Sequence, residues 1–324
     1  MHLFKDLKVT LQRDLDFLGI AYPPVATTED ILLLRYTHMR KTIRPRPRRT
    51  RESTEFRAAL RRCSQNEQEA MTAILAKFCR GEDVNGHLSK ASTNPNVPDG
   101  LLYDWDVYHM HVSNTKATPM QTFFDRTGPV ALAKVASDDA YFLDIRPHGA
   151  GNHLLWTQQD ILEIINCTWP ALLDNADLRH AVTTVQNPTA ANLQRLRGNL
   201  RTGAGATIVP LQIGNRVIAP PGGGMATDGT SVAVMDQVDR TQYAVKAIET
   251  YLTEHGNAIK ADIQAQIYVP VNQQDFRLVR ELAGWIIHET ASDQAVSIHP
   301  LDGLLATLPA APTHSMDRKF VFGS

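Results

Sequence analysis

Two histidines, His109 and His111, stand two residues apart in the alternating segment Val107–Val112. Side chains two apart on a strand project from one face, here the face opposite Tyr108, Met110 and Val112. In a later alternating stretch, Ala140–Arg146, Asp144 and Arg146 lie opposite the apolar set Tyr141, Leu143 and Ile145, and His148 follows its end. If both stretches join one sheet, His109, His111, Asp144, Arg146 and His148 are expected to converge on its uncovered face. Such a face has the parts for cutting a phosphodiester. Imidazole removes a proton near neutral pH and returns one to the leaving group, and arginine stabilises the charge that develops on the phosphate oxygens. An RNA substrate supplies its own 2′-hydroxyl nucleophile, so neither a metal nor an organic cofactor is expected. The quieter reading of a strand histidine is a half-buried hydrogen-bonding residue. His-x-His can also hold a metal, with Asp144 or His148 as a further ligand. No other carboxylate cluster accompanies the histidines, which favours the metal-free reading.

A second feature is the distribution of charge. The 324 residues carry a formal net charge of −1, from 33 Lys+Arg against 34 Asp+Glu. Between Arg35 and Arg62 there are eleven Lys/Arg and two acids, a local charge of +9, which leaves 22 basic and 32 acidic residues elsewhere. Arg40, Lys41, Arg44, Arg46, Arg48, Arg49 and Arg51 form the densest part. Pro45 and Pro47 bias Arg44 and Arg46 away from helix, so an extended arm with splayed guanidinium groups is expected. Such an arm suits a phosphate backbone, or else docks on the acidic remainder of its own chain. Nucleic acid, RNA first, is therefore the expected partner, with a protein inhibitor or partner subunit as a further one.

A third candidate is the run Gly222, Gly223, Gly224 followed by Thr230 and Ser231. Successive glycines let backbone amides approach an anion, and a hydroxyl can cap the helix that follows. The segment has neither Gly-Lys-Ser/Thr nor GxGxxG. It reads first as a structural turn and second as a phosphate contact.

The elements that must position these residues are those of a mixed α+β chain. Residues 1–96 read as a helical region bearing the basic arm. Thr27 with Asp30 and Ser64 with Glu67 make capping boxes, Ser53 opens a further helix, and Gly81 ends the one begun at Ser64. Residues 97–175 read as an α+β unit. It has a strand at Val107–Val112, a second at Pro129–Ala136 and a third at Ala140–Arg146 after an Asp138-Asp139 turn. A helix capped by Thr157 with Asp160 then runs to Trp169-Pro170, with Cys167 in its core face. Residues 176–324 read as a mixed C-terminal domain. They include a helix from Pro188 to Gly198, a hairpin about Gly214-Asn215, and a helix from Val232 to His255. A strand at Ile263–Val269, a helix at Asp275–His288 and a short strand at Ala295–Ile298 complete it.

The order strand (DWDVYHMHVSN), apolar strand (GPVALAKVA), acidic turn, strand (AYFLDIRPHG) resembles the core of the RelE/HigB-type messenger-RNA interferase toxins. The resemblance covers residues 99–150. It implies a small curved sheet after a helical start, with His148, at the end of the later strand, as the residue used in cleavage. The chain departs from that family in carrying His109 and His111 where an arginine-bearing strand is usual, and in its large flanking regions.

Composition excludes several classes. With 43% hydrophobic and 21% charged residues the chain is neither disordered nor fibrous. No window approaches 18 consecutive apolar residues, so no membrane span is expected. Cys63, Cys79 and Cys167 share no CxxC spacing and read as reduced thiols of a cytoplasmic protein. The expected activity is a metal-independent endoribonuclease of toxin or defence type. A non-catalytic nucleic-acid- or protein-binding subunit and a metal-dependent hydrolase are the alternatives.

Overall fold

The computed structural model describes residues 1–116, 118, 120–126, 128–148, 159–181, 185–198, 209–267, 276–281, 284–290 and 294–310. The elements run α1 (Leu3–Leu18), α2 (Thr28–Lys41), β1 (Arg49–Glu52), α3 (Thr54–Leu60), α4 (Gln65–Arg80), α5 (Gly100–Trp105), β2 (Tyr108–His111), β3 (Val130–Val135) and β4 (Asp139–Arg146). After these come α6 (Asp160–Thr168), α7 (Ala190–Gly198), β5 (Leu211–Ile213), β6 (Arg216–Ile218) and α8 (Val232–Ile267). The last are β7 (Phe276–Glu281), β8 (Gly284–Glu289), β9 (Gln294–Val296) and α9 (Asp302–Leu305). The fold is mixed α+β. No helix of the described residues is long and apolar enough to cross a membrane.

The chain divides into two compact units, one of Met1–His38 with Val234–Pro312 and one containing Met39–Ala233. This division does not follow the cuts at 96 and 175 drawn from composition. In the first unit, α1 buries Leu3, Leu7, Leu11 and Leu15, the i, i+4 stripe of an amphipathic helix. Buried Asp14 pairs with Arg35 at 3.2 Å and also with Arg280. The unit also holds the three-stranded sheet β7-β8-β9. Phe276–Glu281 and Gly284–Glu289 are thus two strands, where a helix over Asp275–His288 is expected. Phe276 and Leu278, then Trp285 and Ile287, are buried with period two, and Gly284 enters β8 at φ 139. The expected strand from Ile263 is also corrected, because α8 continues unbroken past Gly256 to Ile267.

The second unit is built on a four-stranded sheet in the order β1-β4-β3-β2. β2, β3 and β4 form the expected antiparallel meander, and β1 lies parallel to β4 with Arg49 opposite Asp139. One face packs on α3 and α4 through Phe56, Met71, Ile74 and Phe78 against Met110, Ala131 and Phe142. The other carries Val130, Leu132 and Leu143 against Ile161, Leu162 and Ile165 of α6 and Leu211, Ile213 and Ile218 of the β5-β6 hairpin. The face expected to be uncovered is therefore covered. A bulge in the β3–β4 pairing shifts register between Leu132 and Ala133, so Phe142 and Ile145 share a face that strict alternation divides between two.

Local signals hold where the sequence placed them. Thr27 and Asp30 exchange hydrogen bonds at 3.1 and 2.7 Å, Ser64 and Glu67 form a capping box, and Ser53 caps α3 through the Phe56 amide. Gly81 ends α4 in the left-handed region. Thr157 lies outside the described residues. Cys167, expected in the core, is exposed.

Candidate functional site

The sheet brings three of the five expected residues together. His109 and His111 project from β2 at the edge of the sheet, and His148 lies two residues past β4. The His109 and His111 ring centroids are 6.1 Å apart, and the His148 ring is 6.2 Å from the first and 5.2 Å from the second. Asp144 and Arg146 are placed elsewhere. His109 pairs across to Leu132 and Leu132 to Asp144, while His111 pairs to Val130 and Val130 to Arg146. A whole strand, about 10 Å from β2 to β4, therefore separates the histidines from the acid and the arginine.

Arg146 is engaged there. Its Nε donates to Asp144 at 2.9 Å, and its Nη1 and Nη2 donate to the two oxygens of Asp160 at 3.2 and 2.8 Å. Burial alone lowers a guanidinium pKa, but these two carboxylates outweigh it and hold Arg146 above its ordinary value. A different guanidinium, that of Arg126, lies within electrostatic reach of His109 and His111.

Arg126 lies on the segment between β2 and β3, its guanidinium carbon 4.9 Å from the centroid of the Phe123 ring. Its positive charge acts on both His109 and His111. No pattern in FFDRTG marks this arginine, so spacing gave no means of finding it. A fourth histidine was missed for the same reason. His87 is fully buried, stacks on Phe124 at a centroid separation of 4.0 Å, and accepts from Lys77 through Nε2 at 3.0 Å. Lys77 and Lys116 also lie over the Phe124 ring, at 4.6 and 4.8 Å.

The electrostatics of the cluster follow from burial. His111 is 3% exposed, and its pKa falls to about 3, first through desolvation and then through His109, His148 and Arg126. Burial likewise lowers His109, with His148 and Arg126 adding to the shift and Asp99 opposing it. His87 falls to about 3 by burial reinforced by Lys77. Around neutral pH His87, His109 and His111 are therefore uncharged. Neutral imidazole is a competent base and is also the state that binds metals. Among the described residues, however, no group of three or more His, Cys, Asp or Glu side chains is arranged to hold a metal ion. The neighbouring Arg126 favours an anion over a cation.

No protein-family model, curated protein or solved structure matches this chain.

The basic arm does not splay outward. Arg40 pairs with Asp106 at 2.6 Å, Arg46 with Asp138 at 2.7 Å, and Arg49 and Arg51 with Asp139 at 2.7 and 3.1 Å. Arg48, only 8% exposed, donates to the carbonyls of Ala136, Arg44 and Arg46. Lys41 is buried and donates to the carbonyls of Ala91, Asn94 and Val97. Arg44 is exposed. Much of the arm's charge is thus spent within its own unit, because Arg49–Glu52 enters the sheet beside the Asp138-Asp139 turn.

The glycine run is likewise occupied. The amides of Gly222, Gly223 and Gly224 donate to the carbonyls of Asp104, Pro220 and Tyr103. Thr230 donates its amide to Asp228, and Ser231 is fully buried. These three amides hold a turn against α5 and leave no anion cradle.

Proposed function

We propose that this chain is a metal-independent enzyme that cleaves RNA at the cluster His109, His111 and His148. The observation that carries the reading is the gathering of three imidazole rings within 6.2 Å at one end of a meander. One neutral imidazole takes the proton of a 2′-hydroxyl as that oxygen bonds to phosphorus. The bond from phosphorus to the 5′-oxygen breaks, and the leaving oxygen receives a proton from a second imidazole. The products are a 2′,3′-cyclic phosphate and a free 5′-hydroxyl. A phosphate close to the cluster raises imidazole basicity, so substrate itself supplies the condition under which one ring becomes an acid. The strand order of residues 99–150 and the position of His148 support a toxin-type ribonuclease as the class.

The experiment is incubation of the purified chain with a short labelled RNA, with and without a strong chelator. Chelator-resistant cleavage yielding a cyclic phosphate, lost in the His109→Ala and His111→Ala variants, supports the reading. Chelator-sensitive cleavage replaces it with metal-dependent hydrolysis. No cleavage, or cleavage untouched by both substitutions, overturns it.

A further inference from the structure

Beside the imidazoles, two buried polar groups have no hydrogen-bond partner among the described residues. These are Nδ1 of His111, and the Nε and Nη2 atoms of Arg126. A buried donor left unmade costs about 1–3 kcal/mol, and more when the group is charged. The two unmatched guanidinium nitrogens are the side-on edge of the fork, the edge that matches two oxygens of one oxyanion. Phe123 lies against the guanidinium, its ring centroid 4.9 Å from the guanidinium carbon. Arg126 forms no ion pair with a described carboxylate, in contrast to Arg40, Arg46, Arg49, Arg51 and Arg146. Among these, then, Arg126 is the arginine whose charge has not been spent within the unit.

Its charged surroundings are mainly positive, with the Asp99 carboxylate reaching His109 as the opposing charge. His109 and His111 are uncharged, and Lys77 and Lys116 lie on the adjoining Phe124 ring. An anion brought here supplies acceptors for Nε and Nη2 of Arg126, and for Nδ1 of His111 in the tautomer that carries the proton there, and it meets a positive field. A cation meets Arg126.

We propose that Arg126 and His111 form an oxyanion site that takes the phosphate group of the substrate, two of its oxygens on the Nε/Nη2 edge of Arg126 and one on Nδ1 of His111. The inference rests on the reading of the imidazole cluster as the reacting site, and it names the group that anchors the substrate there. The remaining phosphate oxygens are left toward the other imidazoles, where the proton transfers occur.

The probe is inorganic phosphate titrated into the full-length chain, followed by calorimetry or by phosphorus-31 line broadening, with chloride as the control anion. The native chain is expected to bind phosphate, and Arg126→Gln to lose tenfold or more in affinity. Arg126→Lys should fall between them, since lysine keeps the charge and loses the planar fork. Circular dichroism of both variants controls for folding. An Arg126→Gln chain that binds phosphate as the native one does, or a native chain that binds phosphate no better than chloride, overturns the site. Arg126-dependent phosphate binding without RNA cleavage leaves the oxyanion site standing and removes the ribonuclease reading. Cleavage that survives Arg126→Gln undiminished does the reverse.

Discussion

Nζ of Lys77 donates to Nε2 of His87 across 3.0 Å, and Nδ1 of His87 stands 3.3 Å from the carbonyl oxygen of His111. An ammonium has donors only, so Nε2 must accept and Nδ1 must carry the imidazole proton toward His111. This relay ties the exit of β2 to α4. It fixes His87 as a neutral ring, since a protonated Nε2 has nothing to offer Lys77.

That arrangement makes acid unfolding specific. His87 and His111 both sit at about pKa 3 in the folded chain and at about 6.5 once unfolded. A depressed folded value gives stability that is present above the unfolded pKa and is lost as pH falls toward the folded one. Each histidine should contribute up to about 1.4 kcal/mol of lost stability per pH unit below about 6.5. Urea unfolding at pH 7 and pH 5.5, above the main carboxylate range, should show this loss. In the His87→Gln/His111→Gln double variant the difference between the two pH values should shrink. An equal difference in both proteins would mean that the buried rings titrate normally.

The basic arm gives a prediction that separates fold from partner. Arg48→Gln and Lys41→Met each remove the hydrogen bonds that a buried cation makes to backbone carbonyls and should cost about 1–3 kcal/mol. Arg46→Gln and Arg49→Gln remove ion pairs of half-exposed side chains and should cost less than about 1 kcal/mol. Their effect on the salt dependence of RNA binding should be equally small, because those charges are already paired. A salt slope that flattens in Arg46→Gln/Arg49→Gln would return the arm to the substrate.

The contrast between what was legible and what was not follows the range of each signal. Thr27 with Asp30, Ser64 with Glu67 and Gly81 act within one helical turn, and a short window contains all that decides them. The meander was legible because its two strand pairs are sequential. β1 was not, since Arg49 finds Asp139 ninety residues on and its four residues carry no apolar pattern of their own. The bulge between Leu132 and Ala133 depends on how two strands meet and has no mark in either. Histidine parity on β2 was legible, but the partner arginine was not. Arg146 and Arg126 look alike in sequence, and the positions of Asp144 and Asp160 in the fold show that Arg146 is already engaged.

Gly222 tests the reading of the glycine run. A Cβ there would stand 2.4 Å from the Tyr103 carbonyl oxygen and 2.5 Å from that of Leu102. Both obstacles are backbone, so the turn or α5 must shift. Gly222→Ala should destabilise the chain by about 1–3 kcal/mol, as overpacking does, with phosphate affinity unchanged in the folded fraction. Thermal unfolding with phosphate titration reads both. A fall in phosphate affinity without loss of stability would make the run an anion loop after all.

Gly86 offers a way to move Arg126 without touching it. The Phe124 amide donates to the Gly86 carbonyl at 3.0 Å, which seats the β2–β3 segment on the turn that holds His87. A Cβ on Gly86 would come within 2.9 Å of the Thr122 carbonyl oxygen and 3.3 Å of the Phe124 ring. Gly86→Ala should therefore lift this segment and displace Arg126, two residues beyond Phe124. A misplacement near 1 Å in a reacting site can cost about a hundredfold in rate, whereas the stability loss should stay within about 1–3 kcal/mol. Gly100 is the control, since a Cβ there meets nothing within 4 Å. RNA cleavage should fall sharply in Gly86→Ala and stay near native in Gly100→Ala, with both chains folded at the assay temperature. Equal rates in the two would show that Arg126 holds its place without the Gly86–Phe124 contact.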